Sequence, residues 1–105
     1  MKDHSSVAVI PTASASRYLQ QLCKHWSHKL AVAFTADEGT IVFPKDARGE
    51  SFAADGTVTL RARDAALEVL VEASAARQLD SLKSAVASHL DRFAFREAPL
   101  AFDWR

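Results

Sequence analysis

This chain of 105 residues has little of three things that protein chemistry often leans on: it holds one cysteine, three glycines and no long apolar run. A lone cysteine, Cys23, cannot form an internal disulfide or a CxxC redox or zinc pair. Glycines scattered at Gly39, Gly49 and Gly56 cannot build a phosphate-cradling loop. There is no HExxH zinc helix and no nucleophile elbow. Nothing approaches the ~18 consecutive apolar residues of a membrane helix. The opening MKDHSSVAVIPTASASR carries only a strand-length run, Val7 to Ile10, too short for a signal peptide. A surplus of one charge is missing as well. Lys and Arg number 13, as do Asp and Glu; residues 1–50 hold six and five of them, and residues 51–105 hold seven and eight. Nucleic-acid binding normally needs a cationic footprint, and neither half provides one. The single cysteine fits a reducing compartment, so the expected location is cytoplasmic.

What remains is ordinary globular material. Apolar residues at 49% and charged residues at 25% exclude a disordered chain. Residues 1–105 are expected to form one domain. Ser5 to Ile10 reads as a first strand that stops at Pro11. Ser14 or Ser16 can cap a helix running to about His28. Ala15, Tyr18, Leu19, Leu22 and Trp26 form its apolar stripe. Cys23 lies on one flank of that stripe, where it packs as a small hydrophobe.

Leu30 to Thr35 alternates, and Ile41 and Phe43 continue the same inward face after a turn at Asp37-Glu38-Gly39. Pairing Phe34 with Ile41 also pairs Val32 with Phe43. Pro44 to Gly56 has no clean period; it hides a short strand near Glu50 to Ala54 or forms a flap, with Phe52 pinning it to the core. Thr57 to Arg63 and Leu67 to Ala73 alternate again. Folded on Asp64-Ala65, they set Val58 by Val71, Leu60 by Val69, Ala62 by Leu67, Arg61 by Glu68 and Thr57 by Glu72. Asp64-Ala65 is a poor primed turn, so that loop is expected to open to four residues. Arg61, Arg63, Glu68 and Glu72 then make a solvated sheet face.

The last third is the most strongly patterned. Ser74 is placed to cap a long helix with Leu79, Leu82, Val86, Leu90 and Phe93 as its stripe. Asp80 and Lys83 can pair on its surface. Pro99 ends the exit segment, and Leu100, Phe102 and Trp104 alternate into a final strand. The expected fold is an α+β two-layer sandwich, order β-α-β-β-β-β-α-β, with a mainly antiparallel sheet and both helices on one face.

Two histidines stand out. His25 and His89 each lie on the edge of their helix's apolar stripe. Helices lying side by side would bring both toward the groove between them or its rim. A histidine there can hydrogen-bond to backbone, or bind a ligand and transfer protons near neutral pH. Tyr18, Trp26, Phe93 and Trp104 would supply an aromatic surround. His25 and His28 are three apart, yet Cys23 with His25 is a poor helical ligand pair, and no metal site is expected.

TASASRYLQQLCKHWSHK, residues 12–29, and HLDRFAFRE, residues 89–97, with Trp104, resemble a bacterial family called domain of unknown function 2218. The resemblance covers nearly the whole chain, and the 44–56 loop matches least. Ser14, Arg17, Tyr18, His25, Trp26, His28, Lys29, His89, Phe93, Phe95, Arg96 and Trp104 fall in its motifs. In that family the domain stands alone or is joined to siderophore-interacting flavoproteins, which implies a link to iron acquisition. It implies no reaction, so no catalytic residue or cofactor carries over.

The expectation is therefore a binding or accessory domain for an iron chelate, siderophore or haem, or for a siderophore-interacting reductase. His25, His89, Tyr18, Trp26, Arg96 and Trp104 are its candidate ligand contacts. Two alternatives stand beside it: a homodimeric interaction domain using an exposed sheet edge or the aromatics near Trp104, and a small enzyme with His25 or His89 as acid or base.

Overall fold

The computed structural model describes residues 3–46 and 51–105. The elements are β1 (His4–Pro11), α1 (Ala15–Trp26), β2 (Ala31–Phe34), β3 (Glu38–Phe43), β4 (Gly56–Ala62), β5 (Ala66–Ala73) and α2 (Ala76–Phe93). One fully antiparallel sheet runs in the order β1-β5-β4-β3-β2. The chain enters at one edge, crosses through α1 to the far edge, and meanders back. Both helices pack on one face, giving the expected α+β arrangement.

Alternation decides which face that is. Ala8 and Ile10 of β1, Ile41 of β3, Val58 and Leu60 of β4, and Leu67, Val69 and Val71 of β5 point at the helices and are buried. Tyr18, Leu19, Leu22, Cys23 and Trp26 of α1 meet them, with Leu82, Val86 and Leu90 of α2. Each large aliphatic side chain fully removed from water stabilises the fold by about 1.5–3 kcal/mol. The stripes expected on both helices are thus the core.

The β4–β5 register is as expected, including Arg61 opposite Glu68 and Thr57 opposite Glu72. Its loop is tighter than expected: Arg63 N–H donates to the Ala66 carbonyl (2.8 Å), closing it over Asp64 and Ala65 alone. Arg63 pairs with Glu68 at 3.1 Å, while Arg61 leans to Glu38 at 3.7 Å. These are exposed pairs, worth roughly 0–1 kcal/mol each.

The first hairpin differs by two residues. Phe34 lies opposite Gly39, and Val32 opposite Ile41. Thr35 sets this register. Its N–H donates to the Glu38 carbonyl (2.7 Å), and its hydroxyl accepts from the Asp37 and Glu38 N–H groups at 3.2 Å. The turn is therefore Thr35–Glu38, and Gly39 belongs to the strand. Because the slip is an even number of residues, the inward face is preserved.

Neither helix is capped by its serine. Ser14 occupies the first cap position without a side-chain bond, and the Thr12 hydroxyl accepts from Ser14 N–H at 3.1 Å. At α2 the cap position is Ala75, and the side chain of Gln78 reaches back to accept from Ser74 N–H at 2.7 Å. Gln78 is only 3% exposed and also donates to the Ala54 carbonyl, so it ties the 51–55 segment to the helix. In that segment Phe52 lies under Arg77, whose guanidinium is 5.5 Å from the ring. The strand considered near Glu50 falls partly outside the described residues, and residues 51–55 are not strand.

The final strand is reduced to one rung. Val7 and Arg105 exchange both backbone bonds at 2.9 and 2.8 Å, and the Ser6 hydroxyl donates to the Arg105 carbonyl. Within this tail Phe102 stacks on Trp104, and Lys83 covers the indole at 5.4 Å. Among the described residues no helix is long and apolar enough to cross a membrane.

Candidate functional site

The helices run in opposite senses along their contact. Tyr18, near the start of α1, meets Glu97 beyond the end of α2, while Trp26, at the end of α1, meets His89 one turn inside α2. This seam carries two distinct polar centres.

The first is the histidine pair. His25 and His89 have ring centroids 5.0 Å apart, tilted at 49°. Trp26 lies 4.8 Å from His89, Phe93 lies 5.8 Å from His25, and Phe43 of β3 meets Trp26 edge-on at 5.0 Å. The placement follows from helix geometry. Trp26 is buried as the last member of its stripe, and His25 is its neighbour on the rim. His89 precedes Phe93 by one turn, so the two share a face. His89 is half-buried and His25 is exposed.

Their chemistry is differentiated. Nδ1 of His89 lies 2.7 Å from the Ala85 carbonyl oxygen, which can only accept, so Nδ1 carries the proton. In the neutral ring Nε2 is then the free lone pair. His25 is held below its ordinary 6.5, first by loss of water around the ring, then by the positive charges of His89, Arg92, His28 and Lys29. The groups acting on His25, namely His89 and Arg92 of α2 and His28 and Lys29 just beyond α1, are cationic when protonated. One turn earlier, the Oε1 of Gln21 is buried without a hydrogen-bond partner among the described residues.

The second centre lies two turns away along α1. Tyr18 O–H donates to Glu97, whose carboxylate also accepts from the Thr12 hydroxyl at 3.0 and 3.1 Å. The bond to Glu97, then burial, then the Glu97 charge hold the Tyr18 phenol above 10.0. Beside it is a cleft of about 120 Å³ lined by Arg17, Tyr18, Phe93, Ala94, Phe95 and Arg96. Phe93 is the wall common to both centres.

The six candidate contacts therefore divide. His25, His89 and Trp26 come together, Tyr18 and Arg96 line the neighbouring cleft, and Trp104 sits apart in the tail. Sequence reading missed Phe43, Gln21 and Glu97. Phe43 was visible only as an inward strand residue, and Glu97 lies past the helix, where periodicity is silent. Cys23 is buried against the core, away from ligand duty. Among the described residues no group of three or more His, Cys, Asp or Glu is placed to hold a metal ion.

No curated protein matches the chain. Among solved structures it is similar to the NMR structure of PA4090 from Pseudomonas aeruginosa, at 29% identity and a TM-score of 0.73, covering 100% of this chain and 96% of that one. A family model described as an uncharacterised protein conserved in bacteria matches residues 7–105, and the chain belongs to that family, DUF2218.

Proposed function

We propose that this domain binds an anionic, ring-bearing ligand on the seam between its helices, and that the ligand is an iron chelate, a siderophore complex or haem. The carrying observation is the contact of His25 and His89 at 5.0 Å beside Trp26 and Phe93. Aromatic surfaces offer stacking area. The cationic groups around His25 favour carboxylate or catecholate oxygens. Nε2 of His89, with Nδ1 tied to Ala85, is fixed in the tautomer that accepts a hydrogen bond or ligates a metal.

The same distance restricts how haem could bind. Two imidazoles on opposite faces of one iron, with metal–nitrogen bonds of about 2 Å, would have ring centres roughly 6 Å apart along a line. Rings tilted at 49° and 5.0 Å apart do not sandwich a macrocycle. One histidine, His89, would ligate, and His25 would bond to the ligand's periphery. The role is accessory: the domain presents the chelate, and the link of such domains to siderophore-interacting reductases makes a reductase the fitting partner.

Titration with haemin and with ferric siderophores, followed by tryptophan fluorescence, tests this. Trp26 touches His89, so occupancy should quench it. His89→Ala and His25→Ala should each weaken binding about tenfold, the loss expected for one charge-assisted contact. Unchanged fluorescence with every chelate, or equal affinity in both variants, would overturn the proposal.

A further inference from the structure

The two edges of the sheet are treated differently. On the β1 edge, Val7 is paired by Arg105. On the other edge, β2 has no neighbour beyond β3 among the described residues. Edge strands usually carry charge, proline or a bulge that discourages pairing. Here the strand reads Ala31-Val32-Ala33-Phe34 and has none of these.

Which groups it offers follows from the ladder. Thr35 N–H donates to Glu38 O, so Thr35 and Glu38 form a bonded pair. Antiparallel pairs alternate, which makes Ala33 with Thr40 and Ala31 with Val42 the next bonded pairs. Val32 and Phe34 therefore point N–H and C=O away from the sheet. Phe34 is also one of the large apolar side chains left exposed, at 36%.

We infer that this edge docks a second copy of the chain, antiparallel, about a two-fold axis at Ala33. In that register Val32 faces Phe34 of the second copy and Phe34 faces its Val32, so four backbone hydrogen bonds form and both apolar pairs are on the helix side. A shift of two residues either way leaves one bonded pair. Backbone bonding and apolar pairing thus select one register, and they are self-complementary, as an interface between identical copies requires. The product is one continuous sheet of two copies, built without using the histidine seam.

Sedimentation of the full chain from micromolar to millimolar concentration tests this. The chain should associate reversibly to a dimer. Ala33→Lys sets like charges opposite each other at the two-fold axis and should weaken it about fivefold, and an equal mixture of Ala33→Lys with Ala33→Glu should restore association. Phe34→Pro removes an outward N–H without touching a β2–β3 bond and should abolish the dimer, with circular dichroism confirming the fold. A strict monomer at every concentration, or a dimer indifferent to these variants, would overturn the pairing.

Discussion

Gly39 lies directly beneath Cys23: a β-carbon built on Gly39 would meet the cysteine sulfur at 2.7 Å. The glycine is there for that close approach, where α1 rests on β3, and not for a turn.

Gly39→Ala should therefore destabilise the fold by about 1–3 kcal/mol, the usual penalty of overpacking a filled core. Shortening the other partner tests the cause. In a Cys23→Ala background the added methyl has room, so the cost at position 39 should fall by more than half. Equal costs in both backgrounds, measured by urea unfolding, would place the clash elsewhere.

Cys23 should be chemically silent. It is buried, and loss of water pushes its thiol up to about 11. The thiolate that alkylates is then scarce near neutral pH. Iodoacetamide should label the native protein only as fast as the protein opens, and urea should accelerate labelling in step with unfolding. The raised value also has a sign for stability. The folded chain keeps the proton longer than the unfolded one, so stability is full below about pH 9 and falls as pH rises toward 11.

The Tyr18–Glu97 bond fastens the segment after α2 to the start of α1. Tyr18→Phe should cost about 1 kcal/mol, because Glu97 is exposed and water replaces part of what is lost. The phenol is held above 10.0, so its contribution is complete below that pH and disappears as pH climbs through the folded value. Wild type should therefore lose its advantage over Tyr18→Phe in strong alkali. A constant difference across that range would detach the bond from the titration.

His25 should titrate below 6.5 by NMR. Removing the neighbouring imidazole in His89→Gln should move its midpoint upward, since both lost water and a positive neighbour are partly relieved. An unmoved midpoint would mean the rings do not sense each other. Lowering the folded value means the unfolded chain takes the proton first. Stability is accordingly unaffected above 6.5 and declines as pH falls beneath it.

Legibility in the sequence tracked the range of each interaction. The α+β class, the antiparallel pairing and both helix stripes follow from period alone. The β4–β5 register was readable because the apolar and charged rows agree on it, with Leu60 opposite Val69 and Arg61 opposite Glu68. The β2–β3 arms carry no such charge row. Period two cannot distinguish Phe34 opposite Ile41 from Phe34 opposite Gly39, and Thr35 makes the choice through its hydroxyl. Ser74 looked like a cap, yet Gln78, a polar residue outside the apolar stripe, is the buried group that does the anchoring. His25 and His89 were each visible at the edge of a stripe. That they touch depends on how two helices settle on a sheet, which no single helix encodes. Glu97 was out of reach for the same reason.

The rung between Val7 and Arg105 closes a loop of nearly the whole chain, whereas the β4–β5 turn closes over two residues. No second rung backs it among the described residues, so it is held by its two backbone bonds and the Ser6 hydroxyl. The tail should be the first part to lift in native-state hydrogen exchange, and the Val7 and Arg105 amides should lose protection while those of Val58 and Val71 keep theirs. Fraying there leaves the five strands and both helices standing. The order of opening would then run from the tail inward to the sheet.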